Sequence, residues 1–322
     1  MNKVQEQKEL WISTDDGAQL FMRRWVPEQA AVAVVQIVHG MAEHSGRYDR
    51  FATRLCTAGI EVWAADLRGH GKTAELSVND AAHGGLLGHC ADLNGNTRVT
   101  ADIDRINRSI QERYQDKPLF LMGHSWGSFL VQNYIEHYKY PLAGCILSGT
   151  RGPDGFKLRI GVPVMRAIAF LQGVRGKSKL ARALTDGAFN KAFKPVRTAF
   201  DWISRDTDEV DRYIADPFCH NLCSAGFYRD LSVLLSKIHR PECIEGIRLD
   251  LPLYIFAGSA DPVGDMGTSP TALVNVYRER GIKDMEFVLY PDARHETLNE
   301  TNREEVTENL LNWILRHCRS GK

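Results

Sequence analysis

No stretch of this 322-residue sequence approaches the roughly 18 consecutive apolar residues of a spanning helix, so no integral membrane segment is expected. Neither sign of charge is in excess. The 40 basic and 40 acidic residues cancel, which leaves no electrostatic footprint for nucleic acid or an anionic bilayer. Cysteine is sparse, and seven scattered residues, an odd number, fit reduced thiols better than a disulfide framework. The opening MNKVQEQKEL lacks the apolar core of a signal peptide. The expectation is a soluble, cytoplasmic protein. Internal repeats and low-complexity segments are absent. Cys219-His220-Asn221-Leu222-Cys223 has no second Cys or His pair at a zinc-like spacing, so neither a metal nor a cofactor is expected. Asp66-Leu67-Arg68-Gly69-His70-Gly71-Lys72 is Gly-rich but lacks the P-loop spacing G-x-x-x-x-G-K-[ST]. It reads as a structural turn in which Asp66 and Arg68 pair locally.

What is present is a β/α rhythm in a chain long enough for one large α/β domain with an insertion, or for two small domains. Leu10 to Ser13 and Leu20 to Trp25 flank the turn signal Asp15-Asp16-Gly17 and predict a hairpin. AVAVVQIV (Ala31 to Val38), EVWAA (Glu61 to Ala65), LFLM (Leu119 to Met122), GCILS (Gly144 to Ser148), LPLYIFA (Leu251 to Ala257) and MEFVLY (Met285 to Tyr290) are strand-like runs. Helical stripes lie between them, as at Val99, Ile103, Ile106 and Ile110, and a last one puts Val306, Leu310, Trp313 and Ile314 on one face. Between about Thr150 and Arg248 the rhythm breaks into an irregular helical segment. That segment is either a cap over the site or a surface subdomain with its own core. Its apolar stretch includes Val162, Val164, Met165, Ile168, Phe170 and Leu171. If that stretch lines the mouth of the cleft, Met165 and Phe170 bind substrate; the alternative is that it is the cap's own core.

The strongest local signal is Gly123-His124-Ser125-Trp126-Gly127, a G-x-S-x-G pattern between a buried strand and a helix. A nucleophile elbow needs that setting, because the turn that exposes the Ser hydroxyl closes only between residues without bulk. Two further strand ends carry Asp261 and His295, and doubly wound sheets assemble sites at strand carboxyl ends. Ser, then Asp, then His is the α/β-hydrolase order. Ser125 is the candidate nucleophile, His295 the general base and Asp261 the residue that orients the imidazole. Asp250 and Asp265 are the rival acids. His124 is expected to point away from the Ser125 hydroxyl and act structurally. His39-Gly40 closes a buried strand where a second oxyanion donor belongs, so the backbone N–H groups of Met41 and Trp126 are the candidates. The bland alternative there is a turn with an incidental His.

The chain resembles the monoacylglycerol lipase and lysophospholipase branch of the α/β-hydrolases in HGMAEHSGRY (His39 to Tyr48), DLRGHGKT (Asp66 to Thr73), GHSWGS, FAGSADPVGD (Phe256 to Asp265) and ARHETLNE (Ala293 to Glu300). Thr73 stands where that family often has Ser. The resemblance implies an eight-stranded, mostly parallel sheet flanked by helices, with an inserted helical cap. It also implies no metal, and hydrolysis of single-chain acyl esters. The corresponding division is a hydrolase core at residues 1–149 and 249–322, with the cap at 150–248. The expected partner is a small acyl ester, with transient lipid-surface contact through the cap; the oligomeric state is left open. Two other readings stand beside this one. A proline-iminopeptidase-like peptidase would need cap acids to hold a substrate ammonium, and Asp201, Asp206, Asp208 and Glu209 look instead like a solvated helix face. A non-catalytic binding module on the same fold is the other.

Overall fold

The computed structural model describes residues 4–77, 80–138, 140–153 and 155–319. The Asp15-Asp16-Gly17 turn joins β1 (Val4–Ser13) to β2 (Gln19–Pro27) as a hairpin in which Ser13 faces Gln19. β3 (Ala33–Val38), β4 (Ile60–Ala65), β5 (Leu119–His124), β6 (Gly144–Ser148), β7 (Leu253–Gly258) and β8 (Met285–Tyr290) complete one sheet. Among the described residues its order is β1-β2-β4-β3-β5-β6-β7-β8, eight strands. Strand β2 pairs antiparallel with both β1 and β4, and the other described pairs are parallel, so the sheet is mostly parallel, as expected.

Helices α1 (Asp49–Thr57) and α2 (Gly71–Leu76) flank β4, α3 (Gly95–Arg113) precedes β5, and α4 (Trp126–His137) follows it. Between β6 and β7 come α5 (Gly155–Gln172), α6 (Lys179–Thr185), α7 (Thr207–Ala215), α8 (Ala225–Leu235) and α9 (Pro241–Ile244). Helix α10 (Thr268–Arg280) links β7 to β8 and α11 (Arg303–Arg319) follows β8.

Strand side chains alternate between faces, so each buried strand feeds two cores. Ala33, Val35 and Ile37 of β3 pack with residues of α1 and α11. Val34 and Val38 pack on the other side with residues of α3, α4, α8 and α10. This explains why the central strands carry apolar residues at nearly every position. Sequence order reverses between β3, which leads outward to β4, and its neighbour β5, which leads the opposite way to β6. The loops after β3 and β5 therefore diverge and open a crevice at the strand carboxyl ends, the place where such sheets bind ligands.

The inserted helices are not all outlying. Helix α5 packs on α8, and α8 itself lies against α3 and α4 within the helical layer of the sheet. A separate small core gathers Ile203, Val210, Tyr213 and Cys219. Among the described residues no helix is long and apolar enough to cross a membrane.

Two local expectations are corrected. Asp66 and Arg68 do not pair with each other. Asp66 accepts hydrogen bonds from the Ser45 N–H at 2.8 Å and from Arg23 at 3.2 Å, whereas Arg68 forks to Asp102 at 2.6 and 2.8 Å and also reaches Asp16. Met22 lies opposite Ala65 in the sheet, so the neighbouring strand brings Arg23 beside Asp66, and a partner set by strand pairing is invisible to local spacing. The acids of the insertion are a solvated face only in part: Asp208 is exposed, as expected, but the others are engaged. Asp201 and Glu209 are buried; Asp201 accepts from the Arg197 and Thr198 amides, and Glu209 from Arg50. Asp206 caps α7 and binds Arg303.

Candidate active site

Ser125 sits at the junction of β5 and α4 with φ 51° and ψ −123°, a strained conformation for a non-glycine residue. Neighbours hold it there. The Ser125 N–H donates to Ser148 O at 2.9 Å, and the Ser128 hydroxyl donates to Ser125 O at 2.6 Å. The two flanking glycines have steric reasons. A Cβ at Gly123 would collide with the Gly127 backbone, and one at Gly127 with the carbonyls of Val38 and His39. The elbow can thus close only if β5, α4 and the end of β3 touch backbone to backbone.

Asp261 follows β7 and is fully buried; His295 follows β8 and is 3 % exposed. His295 Nδ1 donates to the Asp261 carboxylate, 3.0 Å from each oxygen, and Asp261 Oδ1 also accepts the Val263 N–H at 2.8 Å. Burial alone would lower the His295 pKa. The Asp261 charge and hydrogen bond outweigh it and hold the value above the usual 6.5. With Nδ1 protonated toward Asp261, Nε2 is free to accept a proton. No hydrogen bond joins Ser125 Oγ to His295 among the described residues, but the two line one cavity, and such bonds are often long before substrate binds. The rival acids lie elsewhere: Asp250 binds Arg248 at the surface, and Asp265 faces Arg151 at 3.4 Å. His124 packs against His295 with ring centroids 4.9 Å apart and bonds to the Ser148 hydroxyl at 3.0 Å. Burial and the neighbouring His295 lower its pKa to about 4, so it stays neutral.

Met41 and Trp126 also line the cavity. Trp126 is the first residue of α4, where backbone N–H groups have no intrahelical partner and the helix dipole favours negative charge. Its indole N–H is tied to Asn96 Oδ1 at 3.0 Å and its ring stacks on His70. Both residues border the cavity beside Ser125.

The cavity has a volume of about 100 Å³, and its walls are mostly apolar: Phe129, Phe189, Trp202, Ile203, Leu231, Leu235 and Val263. Met165 and Phe170 are not among its lining residues. Met165 is buried with Ile168 in the core that α5 shares with α8, and Phe170 is 87 % exposed on the opposite face. The helical period decides this, since residues 165, 168 and 169 share one face and 170 and 171 fall on another. The residues missed by sequence reasoning are Leu231 and Leu235 on α8, and Phe189 and Trp202 in short turns. Nothing in local pattern distinguishes those positions from ordinary core. Also missed were Glu43, Arg47 and Glu296, although the Glu43/Arg47 spacing of four suggests a pair.

Among the described residues, one group of donors could hold a metal: His44, Asp216 and Cys219. The donor set does not fit a resident ion. The Gly46 N–H donates to His44 Nδ1 at 3.2 Å, so the ring proton sits on Nε2, which donates to Asp216 Oδ2 at 2.8 Å.

Comparison with known proteins agrees with this geometry. The serine aminopeptidase (S33) family pattern matches residues 29–302. A monoacylglycerol lipase of Mycolicibacterium smegmatis is 28% identical over 305 residues, covering 94% of this chain and 94% of that protein. A monoglyceride lipase of Mus musculus is 28% identical over 307 residues, covering 93% of this chain and 86% of that one. The crystal structure of a thermostable carboxyl esterase from Bacillus coagulans superposes with a TM-score of 0.88 at 28% identity, covering 97% of this chain and 99% of the esterase. A family pattern that spans most of the chain, on an eight-stranded sheet with an elbow after β5, identifies the protein as a member of the serine aminopeptidase (S33) family and a monoacylglycerol lipase-like α/β-hydrolase.

Proposed function

We propose that this chain is a serine ester hydrolase that cleaves monoacyl carboxylic esters, of the monoacylglycerol or lysophospholipid kind, through an acyl-enzyme. The observation that carries the proposal is the strained Ser125 elbow and the Asp261–His295 pair opening into one apolar-walled cavity. Ser125 Oγ attacks the ester carbonyl while His295 Nε2 takes its proton. The oxyanion that forms is held by the Met41 and Trp126 amides. His295 then protonates the leaving alcohol, and water repeats the sequence on the acyl-enzyme. The single acyl chain lies against Phe129, Leu231 and Leu235, each methylene contributing about 0.8 kcal/mol when fully removed from water.

In this reading residues 150–248 form the cap, with α8 serving both cap and core. The exposed apolar residues of the insertion, Ile160, Phe170, Leu171, Leu180 and Leu184, are proposed to touch lipid transiently. Cys56, Cys90, Cys145, Cys219, Cys223 and Cys243 form no disulfide, which supports a reducing, cytoplasmic location.

The family takes its name from aminopeptidases, which makes a peptidase the rival reading. It requires an uncommitted carboxylate facing the cavity. Three acids line it. Glu43 and Glu296 are paired with Arg47, and Asp186 lies 3.5 Å from Arg182 with burial pushing its carboxyl toward the neutral form. Each of these acids, among the described residues, already has an arginine partner. The test is a series of p-nitrophenyl esters from acetyl to decanoyl beside aminoacyl amides, with Ser125→Ala as control. Turnover should rise with chain length and vanish in the variant, and a serine-directed phosphonate should label Ser125. Faster cleavage of aminoacyl amides, or turnover that survives Ser125→Ala, overturns the proposal.

A further inference from the structure

The loop after β3 is held by more than its own chain. Ala42, the residue after the Met41 oxyanion donor, has φ 56°, a conformation that persists in a non-glycine residue only where the surroundings over-determine it. Two of its restraints come from the insertion. The Ala42 carbonyl accepts the His220 N–H at 2.9 Å and the Tyr213 hydroxyl at 3.2 Å.

A second set of restraints is ionic. Glu43 Oε1 accepts the Gly40 N–H at 2.5 Å and the Tyr48 hydroxyl at 2.9 Å, while Oε2 accepts from Arg47 at 3.0 Å. Arg47 continues to Glu296, donating to its two oxygens at 2.6 and 2.7 Å, and Glu296 is the residue after His295. The ring of Tyr213 lies under the Arg47 guanidinium, 4.8 Å away. Burial would push the Glu43 carboxyl up, but Arg47, His124, His39 and the Gly40 N–H together hold it down to about 2. It therefore works as a carboxylate at any ordinary pH.

Glu43 binds the N–H of the His39–Gly40 peptide, and the next peptide, between Gly40 and Met41, is held by His39. The Leu67 N–H donates to His39 Nε2 at 2.9 Å, so the ring proton is on Nδ1, which donates to Gly40 O at 2.8 Å. With that carbonyl fixed, a trans peptide sends the Met41 N–H the opposite way. One carboxylate thus fixes the peptide before the donor. The same carboxylate reaches, through one guanidinium, the loop that carries the base.

We propose that Glu43, Arg47 and Tyr213 are positioning residues, which hold the Gly40–Met41 peptide in its oxyanion-binding orientation and couple it to the His295 loop and to the insertion. The inference rests on the ester-hydrolase reading above. Its consequence is that the insertion, through Tyr213 and the His220 amide, helps set the catalytic rate without touching the reacting atoms.

The test uses the full chain and two variants, Tyr213→Phe and Glu43→Gln, on soluble p-nitrophenyl butyrate, with kcat normalised to phosphonate-titrated sites. Tyr213→Phe keeps the ring on Arg47 and removes only the bond to Ala42 O. It should lower kcat by about three- to tenfold. Glu43→Gln should lower it by about 10²-fold, approaching the loss of an oxyanion donor. In both variants KM should stay within about twofold, the pattern of an interaction made only in the transition state. A trifluoromethyl ketone, whose adduct with Ser125 carries an oxyanion, should lose affinity in proportion to kcat/KM. A cluster that serves stability alone would lower Tm and the titratable fraction, yet leave kcat per site and the ketone affinity untouched; that result overturns the positioning role. If Glu43→Gln does not fold, Tyr213→Phe decides. A wild-type chain that turns over no ester removes the hydrolase reading and this inference with it, whereas active wild type with equally active variants removes this inference alone.

Discussion

Of the histidines buried around the cavity, His39, His70 and His124 are shifted down by burial, and His295 alone is shifted up, because Asp261 outweighs the same burial. The sign has a kinetic consequence. The base works only when neutral, so kcat/KM should climb as pH rises through a value above 6.5. In Asp261→Asn the charge that favours the imidazolium is gone and burial prevails. The acidic limb should then move to lower pH, while the plateau falls by about 10⁴-fold through the wrong tautomer. An unmoved limb in a pH–rate profile would assign that ionisation to another group. A second residue-scale case concerns stability. Glu136 on α4 is buried, and neither carboxylate oxygen has a hydrogen-bond partner. His137 Nδ1 is 4.0 Å away. Burial raises the Glu136 pKa from 4.5 to about 9. Between those values the unfolded chain releases a proton that the folded chain keeps, so stability falls as pH rises across that window, by about 3 kcal/mol at pH 7. Glu136→Gln should therefore stabilise the protein, and by more at pH 8 than at pH 5. Urea denaturation at the two pH values measures this, and equal gains would show that the carboxyl is not titrating in that window.

At the scale of elements, α5 and α8 divide the work that sequence density assigned to α5 alone. Leu231 reaches the cavity from α8, whereas Met165 is packed between the helices. Leu231→Trp should shorten the acyl site, cutting kcat/KM for decanoyl esters by roughly tenfold or more while sparing acetyl esters. Met165→Ser should instead destabilise the fold, by about 2–5 kcal/mol on the scale of large-to-small core changes, with the chain-length profile unaltered. The reverse outcome in the ester series would put α5, not α8, at the wall. These cases mark where sequence was legible. The strands stood out because burial on both faces demands unbroken apolar runs, and the loops bearing Ser125, Asp261 and His295 stood out because each follows such a run. Asp66 with Arg23, Arg68 with Asp102 and Arg47 with Glu296 were not legible, since their partners are 43, 34 and 249 residues away and meet only through sheet order. The acyl wall was illegible for a related reason. A helix dense in apolar residues does not reveal which of its faces meets the core, the cavity or solvent.

At the scale of the molecule, a formal net charge of zero and an insertion with large apolar side chains in the open point to the same surface behaviour. Phe170 is 87 % exposed and Leu171 80 %, on the face of α5 turned away from its core contacts; Leu180 and Leu184 of α6 are about half exposed. Burying one such large side chain contributes about 1.5–3 kcal/mol, so Phe170 and Leu171 together supply at most about 3–6 kcal/mol toward partitioning into a lipid interface. That range supports reversible docking and falls far short of insertion. With no excess of basic residues, attachment should be as strong on zwitterionic phosphatidylcholine vesicles as on anionic ones, and nearly insensitive to salt. The double variant Phe170→Asp/Leu171→Asp should abolish co-sedimentation with phosphatidylcholine vesicles and slow hydrolysis of a long-chain monoester embedded in them. Turnover of soluble p-nitrophenyl butyrate should be unchanged, because neither side chain lines the cavity. If the double variant still sediments with vesicles, or loses soluble and embedded substrate alike, the exposed face of α5 is not what brings this enzyme to lipid.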